Sequence, residues 1–242
     1  MRIKVIMTDK AMDRQTMNQR ELMLSNALSS ETTVSVDCIK HGPDELDCNT
    51  DEAFAAAEVV KESLRAEAEG YDAIVIYCFS DVGIDAIREN VSIPVIGPGE
   101  TTLAVAGMIC NKFVVITTQG RNIPRTYRRL MKNCIAREKM SSVQALDVPI
   151  GELRNDPKAT EKRLIEVCKK SVNEEQIDGV ILGCLGMANY GEIIEKELPV
   201  KVFDPAFIAV SYAEMCIRNK ICHTHASYPL FENESNVELS PQ

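Results

Sequence analysis

A chain of 242 residues, 45% apolar and 26% charged, has an ordinary globular composition, with room for one large α/β domain or two small ones. Its 27 basic and 36 acidic residues give a net charge of −9, which argues against a nucleic-acid groove, since that would need a basic stripe. No run reaches the roughly 18 apolar residues of a membrane span, and the short apolar start Ile3–Met7 lacks a small-residue cleavage site, so a cytoplasmic protein with no membrane association is expected.

In chain order, a strand over 3–7 is followed by the turn Thr8-Asp9-Lys10, a helix over about 13–28 and a second strand over 32–38. The loop His41-Gly42-Pro43-Asp44-Glu45 is broken by Gly-Pro. Asn49-Thr50-Asp51-Glu52 opens a helix rich in Ala, Glu and Lys that runs to about Glu69. A strand over 73–77 ends at Cys78, a short helix covers about 81–89, and Ile93-Pro94-Val95-Ile96 is a compact strand. After Gly97-Pro98-Gly99-Glu100 the pattern restarts with a helix over 101–110 and a strand over 113–117. A helix that has Pro124 near its start is predicted to run to about Cys134. Strand 142–146, helix 158–173, strand 179–183, helix 188–197, strand 200–203 and helix 205–219 complete the series. The tail after His225 reads as irregular or as an arm contacting another subunit.

Alternating strands and helices predict an α/β protein with mostly parallel sheets flanked by helices. The order also repeats. Tyr71-Asp72-Ala73-Ile74-Val75-Ile76-Tyr77-Cys78 is echoed by Ile177-Asp178-Gly179-Val180-Ile181-Leu182-Gly183-Cys184, with the same spacing from Asp to Cys. Val5-Ile6-Met7-Thr8 parallels Val114-Val115-Ile116-Thr117, and Ile93-Pro94-Val95 parallels Leu198-Pro199-Val200. Two pseudo-symmetric lobes are therefore expected: residues 1–97 with the C-terminal part 205–242 form the first, and 98–204 the second, with an active-site cleft between them.

The nine cysteines, at 38, 48, 78, 110, 134, 168, 184, 216 and 222, form no CxxC pair, which argues against a disulfide framework or a zinc site; most read as small buried hydrophobes. Cys78 and Cys184 differ. Each ends a central strand of one repeat, the end at which ligands bind in open α/β sheets, and each precedes a turn into a helix start that would favour a thiolate. Two such thiols on opposite sides of one carbon suit stereoinversion: one removes the proton next to a carbonyl, and the other returns a proton from the opposite face. No cofactor is expected, since Gly97-Pro98-Gly99 is too short for a nucleotide fingerprint and no Lys stands out as a pyridoxal-phosphate anchor.

At these residues the chain resembles the Asp/Glu/hydantoin racemase superfamily, most closely its hydantoin and allantoin racemase branch. Cys78-Phe79-Ser80-Asp81-Val82-Gly83 is similar to that branch's Cys-Phe-Gly-Asp-Pro-Gly, and Gly183-Cys184-Leu185-Gly186-Met187-Ala188 to its Gly-Cys-Ala-Gly-Met-Ala. Val115-Ile116-Thr117-Thr118, with Pro124 after it, resembles the Val-Thr-Thr segment, while Gly42-Pro43 and Asp51-Glu52-Ala53 fit the loop and helix start after the second strand. The resemblance implies Cys78 and Cys184 as the acid/base pair. It implies Thr8, Asp9, Pro43, Phe79, Ser80, Thr117, Thr118, Leu185 and Gly186 as substrate-binding residues. It further implies a small substrate bearing a carboxylate or imide, and a homo-oligomer. One departure stands out: Met7-Thr8-Asp9-Lys10 occupies the place of Asn-Pro-Asn-Thr, so Asp9 and Lys10 bring charge where the relatives present an amide.

Two other enzyme types fit such a scaffold, a decarboxylase and a cis–trans isomerase; relatives of the decarboxylase kind manage with one Cys, so two favour racemisation. A non-catalytic small-molecule binder is a third reading. Cys222, His223 and His225 invite a metal, but without further ligands at suitable spacing they read as a polar stretch. Arg125-Thr126-Tyr127-Arg128-Arg129 reads as a solvated face or a subunit contact, Asp81 and Glu100 as helix-start residues, and Met12, Met17 and Met23 as packing.

Overall fold

The computed structural model describes residues 1–230, and the chain divides into two compact units, Met1–Pro98 with the chain from Ala209 onward, and Gly99–Ile208. In the first unit β1 (Arg2–Met7), α1 (Arg14–Ser25), β2 (Thr33–Cys38), α2 (Asn49–Ala68), β3 (Ala73–Tyr77), α3 (Ile84–Arg88) and β4 (Val95–Ile96) build a four-stranded sheet in the order β2-β1-β3-β4. All three pairings are parallel. β1 and β3 are buried almost throughout, as parallel strands covered by helices on both faces must be. Ala55, Val59, Val60 and Ala66 of α2 and Ile87 of α3 pack against Ile6, Ile74, Ile76 and Val95 of the sheet. The Asp51 carboxylate reaches back to the N–H groups of Asp47 and Cys48, both at 2.9 Å, and so fixes the start of α2.

The second unit repeats the plan. After α4 (Pro98–Ile109) come β5 (Phe113–Thr117), α5 (Ile123–Leu130), α6 (Cys134–Lys139), β6 (Met140–Ala145), α7 (Pro157–Glu175), β7 (Gly179–Leu182), α8 (Gly191–Glu197) and β8 (Lys201–Phe203); α9 (Pro205–Asn219) then returns the chain to the first unit from Ala209 on. The sheet order is β6-β5-β7-β8, again all parallel. Leu164, Val167 and Cys168 of α7 and Ile194 of α8 close its core over Val114, Ile116, Val180, Leu182 and Val202.

The repeated Asp has a structural task. Asp72 accepts the N–H of Arg2 at 2.7 Å, and Asp178 accepts those of Asn111 at 2.9 Å and Lys112 at 2.8 Å. Each acid ties the start of its strand to the start of the neighbouring one. Burial works to raise the Asp178 carboxyl, but the hydrogen bonds from Asn111 and Lys112 outweigh it and hold it below the ordinary range. Stability from this group is therefore present above pH about 4 and lost as pH falls through its depressed folded value. Asp178→Ala is expected to cost about 1–3 kcal/mol at neutral pH, and chemical denaturation repeated at acid pH should find the difference gone.

Several elements differ from the sequence expectation. The helix predicted to reach Cys134 is two: Asn133 leaves the helical region, and its side chain accepts from the N–H groups of Ile135 and Ala136, capping α6 anew. β4 is only Val95–Ile96, because Pro94 has no N–H for the ladder. The helices after the two thiols begin late, at Ile84 and Gly191, because the intervening residues turn first. After α9 the chain makes a turn in which Tyr228 N–H donates to Thr224 O at 2.9 Å. The rest of the expected tail, 231–242, lies outside the described residues. Among the described residues no helix is long and apolar enough to cross a membrane.

Candidate active-site elements

In an open sheet of order 2-1-3-4 the chain winds in opposite directions on either side of the first and third strands, and the carboxyl ends of those two strands leave a crevice. Met7 pairs with Tyr77 at the end of the β1–β3 ladder, so Thr8 and Cys78 leave the first sheet side by side. The backbone then reverses sharply. Cys78 N–H donates to Ile76 O at 2.8 Å and Asp81 N–H to Cys78 O at 3.0 Å, while Asp81 and Gly83 adopt φ of 53° and 71°. The Cys78 side chain is half-buried, and its Sγ lies 3.0 Å from Ser80 Oγ. Thr8 and Phe79 are buried.

Asp9 stands next to Thr8, and burial pushes its carboxyl up, against the charge of Arg20 and a hydrogen bond from the Ala11 N–H. Arg20, from α1, donates to the Tyr77 hydroxyl at 3.0 Å and lies over that ring. Lys10 N–H donates to Pro43 O at 3.1 Å, which draws the Gly42-Pro43 loop to the end of β1. The structure thus gathers Thr8, Asp9, Pro43, Cys78, Phe79 and Ser80 in the first unit. Arg20 joins them unannounced by sequence; its only signal was a cationic position on the first helix.

The second unit presents the matching arrangement. Ile116 pairs with Leu182, and Gly183 N–H donates to Ile116 O at 2.8 Å, so Thr117, Thr118 and Cys184 emerge together from β5 and β7. Thr117 and Thr118 are buried and Cys184 is half-buried. Leu185-Gly186-Met187 form a single 3-10 turn closed by Met187 N–H to Cys184 O at 2.9 Å. A Cβ on Gly186 would meet Leu153 Cδ1 at 3.0 Å and Cys184 Sγ at 3.4 Å, so the turn is packed against the thiol. Each thiol is followed by a turn and then a helix, as expected, but the helices start late, at Ile84 and Gly191. α3 and α8 are short, 5 and 7 residues, and begin beyond left-handed turns at Asp81, Gly83 and Asn189.

The other cysteines separate by environment. Burial pushes Cys168 up to about 12, and burial with the negative charge of Asp9 pushes Cys38 to about 11. Both are inert as thiolates near neutral pH. Iodoacetamide at about pH 8 is expected to leave Cys168 unmodified in the native protein while the exposed Cys48 and Cys134 react, as peptide mass spectrometry would read. His223 Nε2 lies 2.8 Å from Val91 O, and His225 Nε2 lies 3.1 Å from Ser92 Oγ, so the two rings tie the segment after α9 to the loop that follows α3. Among the described residues no three His, Cys, Asp or Glu are grouped to hold a metal ion. On α5, Tyr127 and Arg128 are exposed and Thr126 is buried.

Comparison with known proteins adds a family. The profile of the Asp/Glu/Hydantoin racemase family matches residues 16–213. A hydantoin racemase of Rhizobium meliloti is 32% identical over 204 residues, 81% of this chain and 84% of its own. A hydantoin racemase of Pseudomonas sp. (strain NS671) is 31% identical over 192 residues, 79% of this chain and 77% of its own. Among solved structures, an allantoin racemase from Klebsiella pneumoniae superimposes with a TM-score of 0.90 at 25% identity, covering 100% of this chain and 99% of that one.

Proposed function

Because this chain belongs to the Asp/Glu/hydantoin racemase family and is therefore an isomerase of the racemase kind, we propose that it inverts a carbon next to a carbonyl without a cofactor, with Cys78 and Cys184 as its two proton carriers. The observation that carries this reading is the repeated arrangement: in each unit a half-buried Cys follows the strand at the sheet's switch point. One thiolate takes the α-proton and leaves an enolate. The other thiol gives its proton to the opposite face, and the sulfur that began as thiolate ends as thiol. Ser80, 3.0 Å from Cys78, is suited to donate to that sulfur when it is ionised. Backbone N–H groups at Phe79, Ser80, Leu185 and Gly186 and the hydroxyls of Thr8, Thr117 and Thr118 would hold the substrate and the enolate oxygen.

The substrate class we favour is a hydantoin-like ring, in line with what the curated relatives act on, with a free amino acid as the second candidate. Asp9 would accept a ring N–H, and Pro43 would close over the ring. Asp9→Asn is then expected to raise KM for a hydantoin about tenfold, the loss of one charge-assisted hydrogen bond, with kcat little changed. The reading also includes action in the cytosol, where nine free thiols persist, and self-association, which sedimentation would measure. Polarimetry on single enantiomers of hydantoins and amino acids tests it. Decay of optical rotation to zero supports a racemase; released carbon dioxide, or heat of binding with no product, would replace it with a decarboxylase or a binder.

A further inference from the structure

The loop behind the second thiol is clamped by a buried acid. Asp204 follows β8, beside the end of β7, where Ile181 pairs with Phe203. Its carboxylate accepts the N–H of Asn189 at 2.9 Å through one oxygen and that of Ala206 at 3.0 Å through the other. Asn189 is left-handed, φ 74°, a conformation Asn tolerates better than most residues. Arg154 donates to Ala188 O at 2.7 Å, and its guanidinium lies 5.6 Å from the Tyr190 ring. The Tyr190 hydroxyl donates to Leu153 O at 2.9 Å. Every residue from Gly186 to Tyr190 is thus held from Asp204, from Leu153-Arg154 or by the turn's own hydrogen bonds.

The first unit solves the same problem in reverse. There the acid belongs to the thiol loop: Asp81, also left-handed, places its carboxyl where a Cβ on Gly97 would stand, 2.6 Å from Asp81 Cγ. Gly97-Pro98 and Asp204-Pro205 occupy equivalent places after β4 and β8. In both units one carboxyl spans the gap between the thiol loop and the end of the adjacent strand.

We propose that Asp204, supported by Arg154, is a positioning residue for Cys184: the ionised carboxylate fixes the Leu185–Tyr190 loop so that the thiol meets the substrate carbon from one set place, and protonation releases it. The proposal rests on the racemase reading of Cys184. Burial raises the Asp204 carboxyl to about 6, against hydrogen bonds from Asn189 and Ala206 and the charge of Arg154. Arg154 also faces the Tyr190 phenol, which burial pushes up and on which the charges of Glu161 and Asp156 act as well. The sign follows. Above about pH 6 the carboxylate is charged and the loop is held; as pH falls through that value the hold is lost. Folding stability runs the other way, because a carboxyl raised on folding makes the folded state less stable as pH climbs from about 4 to 6. The charge is kept at some cost to the fold, as expected of a group retained for function.

The test combines amide hydrogen exchange with a pH profile. In the native protein, protection of the 185–190 amides, corrected for intrinsic exchange, is expected to fall about tenfold as pH drops from about 7.5 to 5, with a midpoint near 6. Asp204→Asn should be weakly protected at both pH values, lower kcat about 10–100-fold at pH about 8, as a displaced catalytic group does, and lose the acid limb near 6 with KM within about threefold. Should that variant fail to fold, the native protection step alone decides the matter. Protection flat across this range, or an Asp204→Asn enzyme with the native kcat and acid limb, would overturn the proposal. The exchange readout needs no turnover, so its failure is distinct from that of the racemase reading, which full activity in Cys184→Ser would show.

Discussion

Cys78→Ser and Cys184→Ser are each expected to lower racemisation by about 10²–10⁴-fold, the usual contribution of a positioned acid or base. Serine is close to cysteine in volume, and both side chains are half-buried at strand ends rather than deep in a core, so each variant should fold with an almost native Tm. What changes is the proton chemistry, since an alkyl hydroxyl cannot shuttle a proton near neutral pH as a thiol can. The loss should fall on kcat, because neither sulfur is asked to bind the substrate. Cys48→Ser and Cys134→Ser alter exposed thiols and are expected to remain within about twofold of the native enzyme. Native turnover in both Cys78→Ser and Cys184→Ser would make the two thiols bystanders.

Gly183→Ala carries the second large effect, because it acts on backbone. A Cβ there would stand 2.7 Å from Ile116 O and 2.8 Å from Val115 Cγ1, while Gly183 N–H is engaged with that same carbonyl at 2.8 Å. A carbonyl in a parallel ladder has little freedom to retreat, so the end of β7 must move away from β5 and carry Cys184 with it. Overpacking of this kind costs about 1–3 kcal/mol, a fall in Tm of roughly 2–12 °C for a chain of this size. Misplacing the thiol should also reduce kcat about 100-fold. Gly191→Ala is the matched control: its Cβ would meet Val202 Cγ1 at 3.4 Å, an ordinary contact, and both stability and kcat should stay near native. Equal behaviour of the two variants in thermal denaturation and polarimetry would contradict this account of how Cys184 is set.

The parts of the fold visible in the sequence are those whose physics is local. Strands buried on both faces read as unbroken apolar runs, so β1, β3, β5 and β7 and the thiols at two of their ends could be placed to within a residue or so. The duplication was visible for a related reason: Asp72 and Asp178 recur because each must tie one strand's start to the next. The loops behind the thiols were harder. Asp81 and Asn189 turn left-handed before any helix begins, and neither residue type announces that conformation as Gly does. Asn133 interrupts a stretch of good helix formers by capping a new helix with its own side chain. Asp204 was hidden behind Asp-Pro, an ordinary helix opening, because its partner Asn189 comes from a separate loop. Arg20 was likewise unreadable, since it meets Tyr77 across a long stretch of chain.

The most direct measurement follows deuterium in D2O during the first few per cent of racemisation, starting from each pure enantiomer. Two separate proton carriers should give product that is deuterated at the inverted carbon from the earliest time, while unreacted substrate stays protiated, in both directions. Deuterium entering substrate and product alike would mean one shared base, and product that kept the original hydrogen would mean internal return; either result contradicts a mechanism with Cys78 on one face and Cys184 on the other.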